Sequence, residues 1–125
     1  QQVLLCVRAH DPGQGLLDVP GGFIEFDESI EAGLGREIAE ELNIAVAEFR
    51  YLISAPNDYP DAGVPYKTAD MFFVAEAESL ATLRSADDVA EIRLLRPSAV
   101  PLDEFAFAST RRAFQALLAH LESAG

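Results

Sequence analysis

Apolar residues recur with two different periods along this chain, and the changes of period mark its elements. Residues 1–9 contain the unbroken run Val3-Leu4-Leu5-Cys6-Val7 and read as a buried strand. "HDPGQG" (10–15) is a loop by its Pro and Gly content. Residues 17–19 form a short strand ended by Pro20-Gly21-Gly22, and 23–26 are a further brief extended stretch. The spacing then lengthens: Ile30, Leu34, Ile38 and Leu42 step by four along one side of a helix. Ser29 stands where an N-cap is expected, and Asn43 where a left-handed residue ends a helix. Beyond it the pattern predicts a strand over 46–55, a turn-rich loop over 56–66, a strand over 68–78, a connector over 79–88 and a last strand over 89–95. Apolar positions 113, 114, 117, 118 and 121 make 109–123 an amphipathic helix packed on the sheet. The expectation is one α/β domain over residues 1–125, a mixed β-sheet between a central and a C-terminal helix.

Composition agrees with a globular chain: half of the 125 residues are hydrophobic and 24% are charged. No apolar run approaches the roughly 18 residues of a membrane span, so no membrane partner is expected. No secretory leader is visible, and the chain begins at Gln1, so an upstream segment is expected to be missing. The single Cys6 reads as a small buried hydrophobe, which fits a reducing cytoplasm.

Charge changes the picture more. Twenty-one acids against nine bases give a net charge of −12. That excludes a basic footprint for nucleic acid, and it would repel a phosphorylated substrate unless metal ions intervened. Glu37, Glu40 and Glu41 fall within an arc of roughly 100° beside the buried stripe of the helix. Like charges at this spacing cost a few tenths of a kcal/mol per pair in water, and more when desolvated. Ile44 and Ala45 stand where a lysine would relieve them. Hard divalent cations such as Mg²⁺ or Mn²⁺, with oxygen ligands, are one answer, and a solvated acidic face is the other. Gly33, on the same arc, leaves room for something to approach, although each helical glycine costs about 1 kcal/mol against alanine. The carbonyls of the irregular Pro20-Gly21-Gly22 loop are a further source of metal ligands.

Gly22, Glu28, Arg36-Glu37-Ile38, Glu40-Glu41-Leu42 and Ile44 resemble the Nudix box, G-x5-E-x7-R-E-U-x-E-E-x-G-U with U aliphatic. One fixed position departs, where Asn43 replaces glycine, and Asn is the next best residue in the left-handed conformation. The resemblance implies a Nudix α/β/α sandwich over nearly the whole chain, with the family's usual first strand shortened or absent before Gln1. It implies a Mg²⁺- or Mn²⁺-dependent hydrolase that cleaves a diphosphate linked to some group. Glu37, Glu40, Glu41 and the Gly21 carbonyl would be metal ligands, and Glu28 with Arg36 a supporting pair behind Gly22 and Glu37. The general base is expected to be Glu37, Glu40 or an acid of a later loop, with Asp88 at the matching place and Asp87, Glu76 and Glu78 as rivals.

Substrate choice lies outside the box. Tyr59 and Tyr66 are candidate stacking platforms, and Arg8 and Lys67 candidate phosphate contacts. The expected partner is a small nucleoside diphosphate derivative of the ADP-ribose, NADH or nucleotide-sugar type, with no nucleic acid and with homodimerisation as in relatives. Nucleoside triphosphate hydrolysis, a non-catalytic nucleotide sensor, an isomerase working through Cys6 and an inert acidic module are the competing readings.

Overall fold

The computed structural model describes residues 1–61 and 63–124. In chain order the elements are β1 (Val3–Arg8), β2 (Leu17–Asp18), α1 (Ile30–Leu42), β3 (Arg50–Asp61), β4 (Val64–Val74), β5 (Val89–Leu95) and α2 (Ala108–Ala124). Two short 3-10 turns, Pro97–Ala99 and Leu102–Glu104, precede α2.

β1 is the middle of a three-stranded antiparallel sheet, β2-β1-β5, and alternate residues of it feed two different cores. Leu5 and Val7 pack with Leu17, Val100, Phe105 and Phe114, on the side of α2. Cys6 packs with Ile38, Leu42, Ile44 and Val89, on the side of α1. A strand covered on both faces has no reason to alternate, which is why its sequence is an unbroken apolar run. The result is the expected sandwich, with the sheet between two helices. All the strand ladders are antiparallel, and the parallel component is a bridge between Leu17 and Phe105.

α1 begins and ends as its sequence dictates. The Ser29 hydroxyl accepts the Ala32 N–H at 3.1 Å. Asn43 closes the helix in the left-handed conformation, φ 56° and ψ 37°, donating its N–H to the Ala39 carbonyl. The 79–88 connector then satisfies carbonyls that the last turn leaves over. Arg84 and Ala86 donate backbone N–H groups to the Leu42 and Glu41 carbonyls at 3.1 and 2.8 Å. Asn43 locks this in place, its amide donating to the Thr82 carbonyl and its own carbonyl accepting the Thr82 hydroxyl, at 3.0 and 2.7 Å.

The main departure from expectation is the supposed loop over 56–66. It is the distal half of a long hairpin: β3 runs to Asp61, β4 starts at Val64, and Asn57 pairs with Thr68 and Tyr59 with Tyr66. Pro56, Pro60 and Pro65 are tolerated because both strands of a two-stranded sheet are edges. The inner face carries Ala55, Asn57, Tyr59, Thr68, Asp70 and Phe72, all less exposed than their neighbours Pro56, Asp58, Ala69 and Met71. Smaller corrections follow the same ladders. Residues 23–26 form loop and turn rather than strand, and β3 begins at Arg50, with Val46 making an isolated bridge to Ala77.

Asn43 therefore has two jobs that substitution separates. Asn43→Gly keeps the left-handed turn and loses the exposed amide hydrogen bond, so urea unfolding should show a loss of no more than about 1 kcal/mol. Asn43→Ala loses both and should cost roughly 1–2 kcal/mol more than Asn43→Gly. Equal stabilities for the two variants would remove the conformational argument.

Candidate active site

The acidic face of α1 is organised around one guanidinium. Arg36 donates to both oxygens of Glu28, Nη2 to Oε1 at 2.6 Å and Nε to Oε2 at 2.9 Å. Its Nη1 also reaches Glu37 at 3.1 Å and Glu40 at 3.3 Å. Glu28 further accepts the Glu25 N–H at 2.7 Å. Arg36's hydrogen bonds, first, and this backbone donor hold the Glu28 carboxyl down at about 2. The same bonds push the Arg36 pKa above its ordinary value.

Two glycines make the arrangement possible. A Cβ on Gly33 would sit 2.7 Å from Glu28 Oε1 and 2.7 Å from Ile24 Cδ1. The space on α1 is thus filled by the protein's own supporting carboxylate. A Cβ on Gly22 would lie 2.6 Å from the Glu37 carboxyl carbon, so the loop closes directly on that side chain.

Glu41 lies deeper and lacks such relief. It is half-buried, beside Glu37 and the Gly21 backbone. Desolvation, first, and the neighbouring Glu37 charge push its carboxyl up to about 7. Among the described residues no basic group lies within 4.0 Å of it. Glu40 stays with Arg36 and is 61% exposed, so among the described residues no three acidic, His or Cys side chains converge as a ready-made metal cage. What does converge is the pair Glu37–Glu41 with Gly21. Two hard-oxygen carboxyls side by side are donors that suit a divalent cation.

Glu41, Gly21 and Gly22 open onto a cavity of about 740 Å³ that also reaches Arg8, Tyr59 and Asp88. Arg8 is already committed: it donates to Asp18 at 2.9 Å and to the Pro12 carbonyl at 2.6 Å, and its guanidinium lies 5.0 Å over the Phe107 ring. Asp88, 83% exposed, stands at the rim 3.7 Å from His10. Asp87, Glu76 and Glu78 do not line the cavity. Neither does exposed Tyr66, nor Lys67, which is 90% exposed and pairs with Asp58 across the hairpin. Sequence reasoning missed Phe23, 67% exposed and edge-on to Tyr59 at 5.5 Å. It also missed Asp18, raised by burial against the bonds from Val19 N–H and Arg8, and Asp70, which accepts from Thr68 and Ser109.

Comparison with known structures places this architecture in one class. A Nudix hydrolase from Nitrosomonas europaea matches with a TM-score of 0.69 and 28% identity, over 91% of this chain and 61% of that one. The family model for the NUDIX domain matches residues 1–117, and the chain belongs to that family. Its sequence is similar to the NAD-capped RNA hydrolase NudC of Photorhabdus laumondii, 38% identical over 46% of this chain and 22% of that protein. The NudC of Yersinia enterocolitica is 33% identical over 62% of this chain and 27% of its own length. The chain spans about a quarter of the length of these curated relatives.

The Glu28–Arg36 pair should be visible in acid. Glu28 falls from an ordinary 4.5 to about 2 on folding, so its stabilisation is present above 4.5 and lost as pH drops toward 2. Melting temperatures in EDTA should show Glu28→Gln below the parent at pH 7, with the gap closing below about pH 4.5. A gap that persists unchanged to pH 2 would contradict this assignment.

Proposed function

We propose that this protein is a divalent-metal-dependent pyrophosphohydrolase of nucleoside diphosphates linked to a second group. The observation that carries the reading is Glu41, with Glu37 next to it, lining a cavity of about 740 Å³ together with Gly21. Members of the family generally use divalent metal ions. Here Glu37 and Glu41, with Glu40 swinging from Arg36 and the Gly21 carbonyl, would hold Mg²⁺ or Mn²⁺. Once bound, such an ion neutralises the diphosphate and lowers the pKa of a coordinated water.

The chain's own groups do the rest. Glu28 fixes Arg36, Arg36 orients Glu37, and Gly22 lets the loop close on that carboxyl. Asp88, which lines the same cavity, would accept the proton of the attacking water, with Glu37 and Glu40 as its rivals on α1. Phe23 and Tyr59 offer aromatic surface for a base. Arg8, neutralised by Asp18, shapes the wall more than it attracts phosphate.

The NudC relatives are named for NAD-capped RNA, and an NAD cap is two nucleosides joined through a pyrophosphate. A chain of net charge −12 has no footing for an RNA backbone, so the free dinucleotide or an ADP-ribose-like compound is the substrate class favoured.

A screen of NADH, ADP-ribose, nucleotide sugars and nucleoside triphosphates with Mg²⁺ or Mn²⁺ should show release of nucleoside monophosphate from the linked diphosphates. Glu41→Gln should lower that turnover by more than about 100-fold while the melting curve stays cooperative. Near-parental activity in Glu41→Gln would remove Glu41 from the metal site. No turnover of any compound would remove the enzymatic reading.

A further inference from the structure

The cavity has a second polar wall, remote in sequence from α1, and one carboxylate stands out on it. Asp70 on β4 accepts the Thr68 hydroxyl on Oδ1 and the Ser109 hydroxyl on Oδ2, both at 2.7 Å. Ser109 is fully buried at the start of α2, so this carboxylate is held from two elements. An ionised carboxylate offers about four acceptor sites, and these two bonds take one on each oxygen. The two hydroxyls have turned their protons to Asp70 and have none left for a ligand. This part of the wall therefore presents acceptors.

Asp18, the other cavity carboxylate of this region, differs. It is matched by the Arg8 guanidinium and also accepts from the Val19 N–H and the Thr110 hydroxyl, so its charge is neutralised by a cation. Among the described residues Asp70 has no basic partner within 4.0 Å. An unmatched negative charge repels the diphosphate and attracts a neutral group rich in donors. On a nucleotide the exposed Phe23 ring beside Tyr59 would take the flat base, which leaves the sugar, whose vicinal hydroxyls are two adjacent donors. Carboxylate recognition of a ribose hydroxyl is a known solution to this problem on other folds.

We propose that Asp70, oriented by Ser109 and Thr68, is the specificity-determining acceptor for a ribose diol, so that the cavity selects ribonucleosides. The inference rests on the nucleotide reading above, but not on catalysis. With both neighbouring hydroxyl protons committed to it, the Asp70 carboxylate offers only acceptors, and it makes the sugar rather than the base the group that is read.

Titration of the full chain in EDTA, followed by NMR of its backbone amides, tests this with adenosine, inosine and 2′,3′-dideoxyadenosine. Adenosine and inosine should bind about tenfold more tightly than the dideoxy compound, with shifts at Asp70 and Ser109. In Asp70→Asn the preference should shrink to less than about twofold. The comparison of ligands on the parent chain needs no variant, so it decides the matter even where Asp70→Asn folds poorly. Equal affinity for adenosine and its dideoxy analogue would overturn the proposal. So would a preference for adenosine over inosine that tracks the base amine, or the absence of adenosine binding at this wall. Because no metal is present, a diol preference without any hydrolysis in the screen would sink the enzymatic reading alone.

Discussion

The constraint on which this structure turns is the crowding of carboxylates around a single guanidinium. Arg36 lies within 4.0 Å of Glu25, Glu28, Glu37 and Glu40. In a chain of net charge −12 no second cation is at hand, so the local geometry is arranged to let one arginine serve several acids. Its planar fork suits a bidentate partner, and Glu28 takes that role. Gly33 is bare because Glu28 fills the space above it, and Gly22 is bare because Glu37 does the same. The remaining repulsion is concentrated on Glu41, the one box carboxylate that Arg36 does not reach, and it is expressed as the upward push on that carboxyl.

This division sorts the acids by what they can do. Glu28, held low, is a structural anion at any neutral pH. Glu41, which no arginine relieves, lines the cavity, and under the proposed function a diphosphate entering there would need cationic charge from somewhere. Arg8 cannot supply it, since Asp18 matches it and Phe107 stacks on it. Lys67 faces solvent on the hairpin. Under the proposed function, charge balance favours a mobile cation on α1 and leaves the Asp70 wall for the uncharged part of the ligand.

The helix and its cap were legible because local rules govern them: a four-residue apolar step, Ser29 before it and Asn43 after it. The box residues were legible for the same reason, being fixed on one short loop and one helix. What the sequence hid was the source of relief. Arg36 looked like one member of a supporting pair, and only the folded loop shows it bridging several acids. The hairpin was hidden by the character of its inner face. Asn57, Tyr59, Thr68 and Asp70 line a cavity rather than a core, so the alternation is polar against polar, and Pro56, Pro60 and Gly63 read as turn residues. Without the register, Lys67 could not be told from Thr68 beside it, although a step of one residue turns a side chain to the opposite face.

Cys6 illustrates how the same reasoning separates chemistry from packing. It lines the cavity together with Glu41, which keeps it near the site that an isomerase working through Cys6 would use. Yet its place is dictated by β1, whose even positions face the α1 core, and it packs there with Ile38 and Leu42. Burial first, and the Glu41 charge second, push its thiol up to about 12. At neutral pH it supplies neither a thiolate nor a ready proton, because both need a pKa nearer the working range. A small apolar side chain is what that position requires, and cysteine meets the requirement without entering the reaction.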